Sequence, residues 1–398
     1  MKSQSKKLDT LLTHAGIDPE QNFGIVNPPV YHASTVLFPT LDALENPGPD
    51  TGRSVRYGRH GVPTTFALQE AVAAAEGGYQ AVALPSGVAA ATAAILAFVK
   101  AGDHVLIPDH AYGPTRHFAA DTLKRFGIAA TFYDPMIGTG GIGAGIEALI
   151  QDNTRVLFME SPGSLTFEVQ DVPALVAVAK AHGLTTILDN TWASPVFFHP
   201  LKFGVDVSVV AGTKYIGGHS DAMMGFAICT EASIRPVRRA VADLGYSVGP
   251  DNCYLVLRGL RTAGVRMRAH EAQGMALARF LAARPEIERV LHPAFPGHPG
   301  HEFWKRDFTG ASGLFSVVLK ECPRKALAAM LDGMELFGMG YSWGGFESLI
   351  VPYDPAKLRS ATAWRAPGPL LRIHAGLEDL DDLKDDLARG FERMNAAR

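Results

Sequence analysis

The chain has 398 residues, with 37 Lys+Arg against 40 Asp+Glu and a formal net charge of −3. Hydrophobic residues make up 47% and charged residues 19%, a balance that supports a large buried core and excludes a disordered chain. At about 150 residues per domain the length implies two or three domains, and the near-neutral charge without polybasic runs excludes nucleic acid as the main partner.

Residues 1–60 hold few periodic apolar segments and many breakers, as in NPPVYHAS and ENPGPDTGRSVRYGRHG. They predict an extended arm that wraps something, because alone it buries little. The opening MKSQSKKLDTLLTHAG lacks the apolar stretch of a secretory signal. Three cysteines, Cys229, Cys253 and Cys322, suit a reducing compartment, so a cytoplasmic location is expected. No run reaches the roughly 20 apolar residues that span a bilayer, and Ala89 to Val99 reads as buried helix.

From about residue 65, FALQEAVAAAEGG predicts a helix stopped by Gly77 and Gly78. The runs QAVAL, DHVLIPD, IAATFYD, TRVLFME, LTTILDN and VDVSVVA then have strand length. Helix-length segments such as VAAATAAILAFVKAG and VPALVAVAKAHG lie between several of them. That alternation predicts an α/β domain over 61–259 with a mostly parallel, doubly covered sheet. Beyond about Pro250 the pattern changes, opening with one long helical segment, CYLVLRGLRTAGVRMRAHEAQGMALARFLAAR. Strand-like ASGLFSVVLK, helical CPRKALAAMLDGM and a tail containing RIHAGLEDLDDLKDDLARGFERM predict a smaller α+β domain over 260–398. The acidic part of that tail reads as a solvated helix face with Leu and Phe toward a core.

Three features carry chemistry. In DVSVVAGTKYIGGHS an apolar strand runs into Gly212, Thr213 and Lys214. Burying a charged lysine is costly, so such an amine readily gives up its proton and suits Schiff-base chemistry. Taken alone it is more often a snorkelling lysine at a strand end. In TTILDNTWASP a β-branched strand ends at Asp189, where open α/β sheets bind ligands; a turn or N-cap aspartate is the plainer alternative. In ALPSGVAAATAAILAF, Ser86 and Gly87 open an Ala-rich helix whose first N–H groups favour a phosphate, although Ser-Gly is also a common simple cap. Together they supply an anion cradle, an acid to hold a pyridinium nitrogen, and an amine.

These residues resemble the pyridoxal phosphate (PLP) enzymes of cysteine and methionine metabolism, which have the aspartate aminotransferase fold (fold type I). The resemblance runs from Tyr57-Gly58-Arg59 through MESP, DNTW and TKYIGGHSD to RIHAGLED. The segments HEFWKRDFTGASGLFS and YSWGGFESL resemble the branch that eliminates at Cβ, with L-cystathionine as the implied substrate; sister gamma-lyases (including methionine gamma-lyase) and gamma-synthases are the alternative, and a non-catalytic PLP-binding regulator on the same fold the more distant one. The resemblance implies that Lys214 holds the cofactor covalently and serves as acid and base. Asp189 would face the ring nitrogen, while the N–H groups of Gly87 and Val88 and the Thr213 hydroxyl would hold the phosphate. Tyr112 would stack on the ring and take part in catalysis. Tyr57 and Arg59 would reach a neighbouring subunit's cofactor, implying a dimer paired into a tetramer. Arg372 would grip the substrate carboxylate, with Tyr57, Tyr341, Ser342 and Trp343 lining the substrate pocket. Gly212 stands where many relatives have Ser, so one phosphate hydroxyl is expected to be missing. The glycine-rich loop near 140 also departs from the family pattern.

Other patterns weigh less. Gly138, Gly140 and Gly143 form a literal G-x-G-x-x-G, with Glu160 downstream near a dinucleotide spacing. However, Asp134 to Ile137 separate the strand from the glycines, so the stretch reads as a loop before a helix GIEALI. His292, His298 and His301 sit in a Pro/Gly loop without a Cys or carboxylate cluster, which predicts a surface loop and no metal. Trp343 and Phe346, in a Gly-rich stretch, read as a loop at a pocket or as core aromatics.

Overall fold

Short aliphatic runs become strands because both faces of the main sheet are covered, leaving no polar side to alternate. The computed structural model describes residues 6–49, 51–138 and 145–398. Its seven-stranded sheet comprises β1 (Gln80–Leu84), β2 (His104–Pro108), β3 (Ala129–Tyr133), β4 (Thr154–Glu160), β5 (Thr185–Asp189), β6 (Val207–Val210) and β7 (Gly225–Cys229). The spatial order is β1-β7-β6-β5-β4-β2-β3. Strands β2 to β6 pair in parallel, while β7 runs antiparallel to both β1 and β6.

Side chains alternate between two apolar layers. Leu106, Leu157, Met159, Leu188 and Val210 pack with the helices Pro63–Glu76 and Val172–Ala181 on one side. Val105, Val156, Phe158, Ile187 and Val209 pack with Gly87–Leu96 and Ile234–Asp243 on the other. The carboxyl ends of β4, β5 and β6 therefore open at one lip of the sheet, where α/β folds place ligands.

A second, four-stranded antiparallel sheet contains β8 (Ile287–Leu291), β9 (Leu314–Leu319), β10 (Leu349–Tyr353) and β11 (Leu370–His374), in the order β10-β11-β9-β8. The helices Ala263–Ala282 and Leu380–Ala396 contribute Leu277, Leu281, Leu383, Leu387, Phe391 and Met394 to its core. The acidic terminal helix thus keeps its Leu and Phe inward, as the pattern predicts. Asp386 departs from it: the side chain is fully buried and accepts the N–H groups of Glu335, Leu336 and Phe337.

Three local expectations change. The long helical segment near 253–284 is two helices, Pro250–Arg261 and Ala263–Ala282, broken at Thr262. The break lets Arg266 donate to the carbonyls of Gly259 (2.7 Å), Tyr215 (2.7 Å) and Ile216 (3.1 Å). The expected helix GIEALI is only a single turn at Glu147–Leu149, and Gly140 and Gly143 lie outside the described residues. His292 and His298 are buried rather than on a surface loop. The His292 ring packs on Trp192 and Phe315, and His298 pairs through Nε2 with the Phe167 carbonyl at 2.7 Å. Burial holds both below the ordinary histidine range, His292 at about 3.

Among the described residues before Gly61 the chain forms short helical segments at Leu8–His14, Glu20–Asn22, Leu41–Glu45 and Gly58–His60 and an isolated antiparallel bridge between Thr35 and Tyr57, and leaves Phe23 99% and Leu37 87% exposed. Among the described residues no helix is long and apolar enough to cross a membrane.

Leu387 is fully buried between the terminal helix and the second sheet. Leu387→Ala should cost about 2–5 kcal/mol of stability, read from a urea transition. A change under about 1 kcal/mol would contradict this packing.

Candidate active site

Three consecutive elements of the sheet lip converge. Strand β5 ends at Asp189, which is register-paired with Glu160 at the end of β4 and with Val209 of β6. The chain leaving β6 passes Ala211 and Gly212 to Lys214. On the far side of β7, β1 leads through Ser86 into the Gly87–Leu96 helix, where the Ser86 hydroxyl accepts the Ala89 N–H at 3.1 Å. Gly87 is required by proximity, since a Cβ there would stand 2.7 Å from that of Ala211. Gly212 has the same kind of cause: a Cβ would meet the Phe226 ring at 2.5 Å. Any side chain at position 212 would therefore have to displace the Phe226 ring.

The Lys214 amine donates to Ser342 Oγ at 2.6 Å and lies 5.1 Å from the Trp343 ring. Its pKa is lowered to about 8, first by burial and then by Arg372, with Asp189 pulling the other way. Asp189 is pushed up by burial, against the Thr191 hydroxyl and N–H that bond its Oδ1 and the Lys214 charge. Among the described residues its Oδ2 has no hydrogen-bond partner. Arg372, on β11 and 9% exposed, donates to the Ser342 carbonyl at 3.0 Å and lies 5.1 Å from the Tyr353 ring. Ser342 thus touches both cations, and it does so at φ 78°, a strained left-handed conformation for a residue with a side chain.

Tyr112 is 45% exposed beside this cleft, and burial together with Tyr353 raises its phenol pKa. Its backbone N–H donates to Glu160 Oε2 at 2.7 Å, and Ser164 donates to Oε1 at 2.7 Å. Burial and the neighbouring Asp189 push the Glu160 carboxyl up. Sequence reasoning missed Glu160 as a site residue; its place at a strand end beside Asp189, in MESP, was the available signal.

The remaining candidates divide. Tyr341 is 86% exposed next to Ser342. The Thr213 hydroxyl donates to the Met224 carbonyl and accepts the Met224 N–H, so its proton is committed to backbone. Tyr57 and Arg59 are not brought to Lys214. Tyr57 is 45% exposed. Arg59 donates to the Ala242 carbonyl at 2.9 Å and lines a cavity of about 550 Å³ with His60, Arg235, Arg239 and Tyr246.

The cleft fits pyridoxal phosphate on its own chemistry. Asp189 offers an unpartnered carboxylate oxygen for a protonated ring nitrogen. The N–H groups of Gly87 and Val88 have no acceptor among the described residues, and they open a helix whose N-terminus favours a phosphate. Lys214 supplies the amine.

A seven-stranded lip with an amine, an acid and a free helix N-terminus defines a PLP-dependent enzyme of fold type I. Residues 9–392 match the family described as Cys/Met metabolism PLP-dependent enzyme, and the chain belongs to it. It is 45% identical over 396 residues to an Escherichia coli protein named cystathionine beta-lyase MetC, covering 98% of this chain and 99% of that one. It is 42% identical over 400 residues to a Wolbachia pipientis protein named L-alanine/L-glutamate racemase, covering 98% of each. The crystal structure of metB from Corynebacterium glutamicum superposes with a TM-score of 0.88 at 29% identity, over 97% of this chain and 98% of that one.

An amine with a pKa of about 8 attacks only when neutral. The cofactor-free protein should therefore take up pyridoxal phosphate about tenfold faster per pH unit up to about 8, then level off, as followed by absorbance. A flat rate between pH 6 and 9 would contradict this environment for Lys214.

Proposed function

We propose that the protein is a PLP-dependent carbon–sulfur lyase that cleaves the Cβ–S bond of L-cystathionine, with water, to homocysteine, pyruvate and ammonia. The observation that carries this reading is the Lys214 amine held between Ser342 and Trp343, with Asp189 and Arg372 acting on it from opposite electrostatic sides. The cofactor, when bound, supplies a carbonyl that condenses with amines and a ring that draws electrons from Cα. Asp189 would hold its ring nitrogen, Gly87 and Val88 its phosphate, Lys214 its carbonyl carbon and Tyr112 one ring face.

The chain's own groups then divide the work. Arg372 receives the substrate α-carboxylate through its guanidinium fork. That fixes Cα near the Lys214 amine, whose lowered pKa makes its neutral, basic form far more available than in an ordinary lysine. Lys214 takes the Cα proton and is then placed to deliver a proton to the departing sulfur. Ser342 restrains the Nζ of Lys214 and, through its carbonyl, the Arg372 that orients the substrate. Trp343 and Tyr341 stand at the same wall and would meet the substrate's distal portion.

Tyr57 and Arg59 act, on this reading, in the site of a second copy. The exposed apolar residues of the arm, Phe23, Ile25, Val26 and Leu37, support a paired assembly, a dimer or dimer of dimers, in which the arm is covered. Residues 61–259 then form the cofactor domain and 260–398 the substrate-closing one.

Two neighbouring chemistries start with the same Cα proton. Gamma-elimination needs a further deprotonation at Cβ, and racemisation returns the proton to the opposite face. The racemase name of the Wolbachia relative favours testing the second.

Incubation with L-cystathionine should yield pyruvate and homocysteine; 2-oxobutyrate with cysteine would establish gamma-elimination, and D-alanine from L-alanine as the dominant product would establish racemisation. Lys214→Ala should lower turnover by at least about a thousandfold, and activity retained near the parent level would refute the role of Lys214.

A further inference from the structure

A buried carboxylate outside the cleft chemistry helps tie the two sheets together. Asp109 follows β2 directly and is 1% exposed. Its Oδ2 accepts the N–H groups of Ala361 (3.0 Å) and Thr362 (2.7 Å) and the Thr362 hydroxyl (2.7 Å). Its Oδ1 accepts the Ser360 N–H (2.9 Å), the Ser360 hydroxyl (3.2 Å) and Arg116 Nη1 (2.8 Å). Arg116 also donates to the Asp109 carbonyl and to Ser360 Oγ, closing the ring of bonds. Next to it, Arg359 donates to Glu168 Oε1 at 2.7 Å, with 8% of its side chain exposed. Burial alone would raise the Asp109 carboxyl, yet the bonds from Ser360, Thr362 and Ala361 hold it below the ordinary carboxylate range.

What is gripped matters for the site. Residues 354–369 join β10 to β11, which pair so that Val351 faces Arg372 and Tyr353 faces Leu370. Tyr353, where the loop departs, lies under the Arg372 guanidinium. Three residues beyond Asp109 in the other direction stands Tyr112. One carboxylate therefore holds both the segment bearing Tyr112 and the hairpin bearing Arg372.

We propose that Asp109 is a positioning residue: by clasping the N–H groups of 360–362, it sets the place of Arg372 relative to Lys214 and so governs capture of amino-acid carboxylates. The proposal rests on the reading of Arg372 as the carboxylate grip. A small misplacement of such a grip weakens substrate capture before it touches the proton-transfer step, and a charged acceptor serving several donors loses most of its hold when truncated.

The test uses cofactor-loaded enzyme carrying Asp109→Ala or Asp109→Asn. Asp109→Ala should raise KM for L-cystathionine about tenfold or more with a much smaller change in kcat, and should speed amide exchange of residues 358–364 about tenfold. Asp109→Asn, whose amide oxygen still accepts, should recover part of both effects, while the cofactor absorbance band stays unchanged in each. Faster exchange with an unchanged KM, or equal losses in KM and kcat per folded molecule, would overturn the positioning role. Unchanged exchange would overturn the clasp itself. Thr362→Val removes the hydroxyl bond to Asp109 together with the acceptor of Arg359 Nη1, and serves if Asp109→Ala does not fold; a several-fold KM rise is expected, and no change in KM and exchange refutes the proposal. If the parent enzyme leaves cystathionine intact, the functional reading fails while the exchange arm still decides the clasp.

Discussion

An amine brought out of water beside a guanidinium, with only one carboxylate to offset it, is the interaction on which this structure turns. Lys214 owes its lowered pKa first to burial and then to Arg372. Remove the burial and it becomes an ordinary surface lysine; remove Arg372 and the second influence that lowers its pKa is gone. Asp189 acts in the opposite sense on the same amine, and is itself driven up because the nearby cations do not fully compensate its burial. A protonated ring nitrogen at Asp189 Oδ2 would supply the missing charge.

The sheet makes this possible by geometry. Parallel strands β4, β5 and β6 end together, so Glu160, Asp189 and the Lys214 turn are delivered to one lip. Antiparallel β7 lets β1 end at the same lip, because Leu84 pairs with Gly225 at its start. The free N–H groups of the following helix thus face the amine's turn across a glycine-permitted close approach of Gly87 to Ala211, while Gly212 lets the turn itself lie against the Phe226 ring of β7. The second sheet contributes the opposing wall, where strained Ser342 contacts both cations.

Much of this was legible in the residues. Apolar runs of four to seven residues became strands because both sheet faces are covered, and the positions of Asp189, Lys214 and Gly87 at strand and helix ends follow from that alternation. What stayed hidden depended on remote partners. The break at Thr262 goes with contacts that spacing does not show, Arg266 reaching carbonyls near residue 215. The histidines of a Pro/Gly loop are buried because Trp192, Phe315 and Phe167 meet them in space. Glu160 carried its signal only once β4 and β5 were known to be neighbours. The binding of Thr213 to Met224 follows from strand pairing that spacing does not reveal.

The proposed covalent attachment of the cofactor at Lys214 is open to direct chemical mapping. Reduction of the cofactor-replete protein with borohydride, followed by proteolysis and mass spectrometry, should place a stable pyridoxyl label on the peptide carrying Lys214. Labelling confined to any other lysine, or none in fully loaded protein, would contradict the arrangement from which the rest follows.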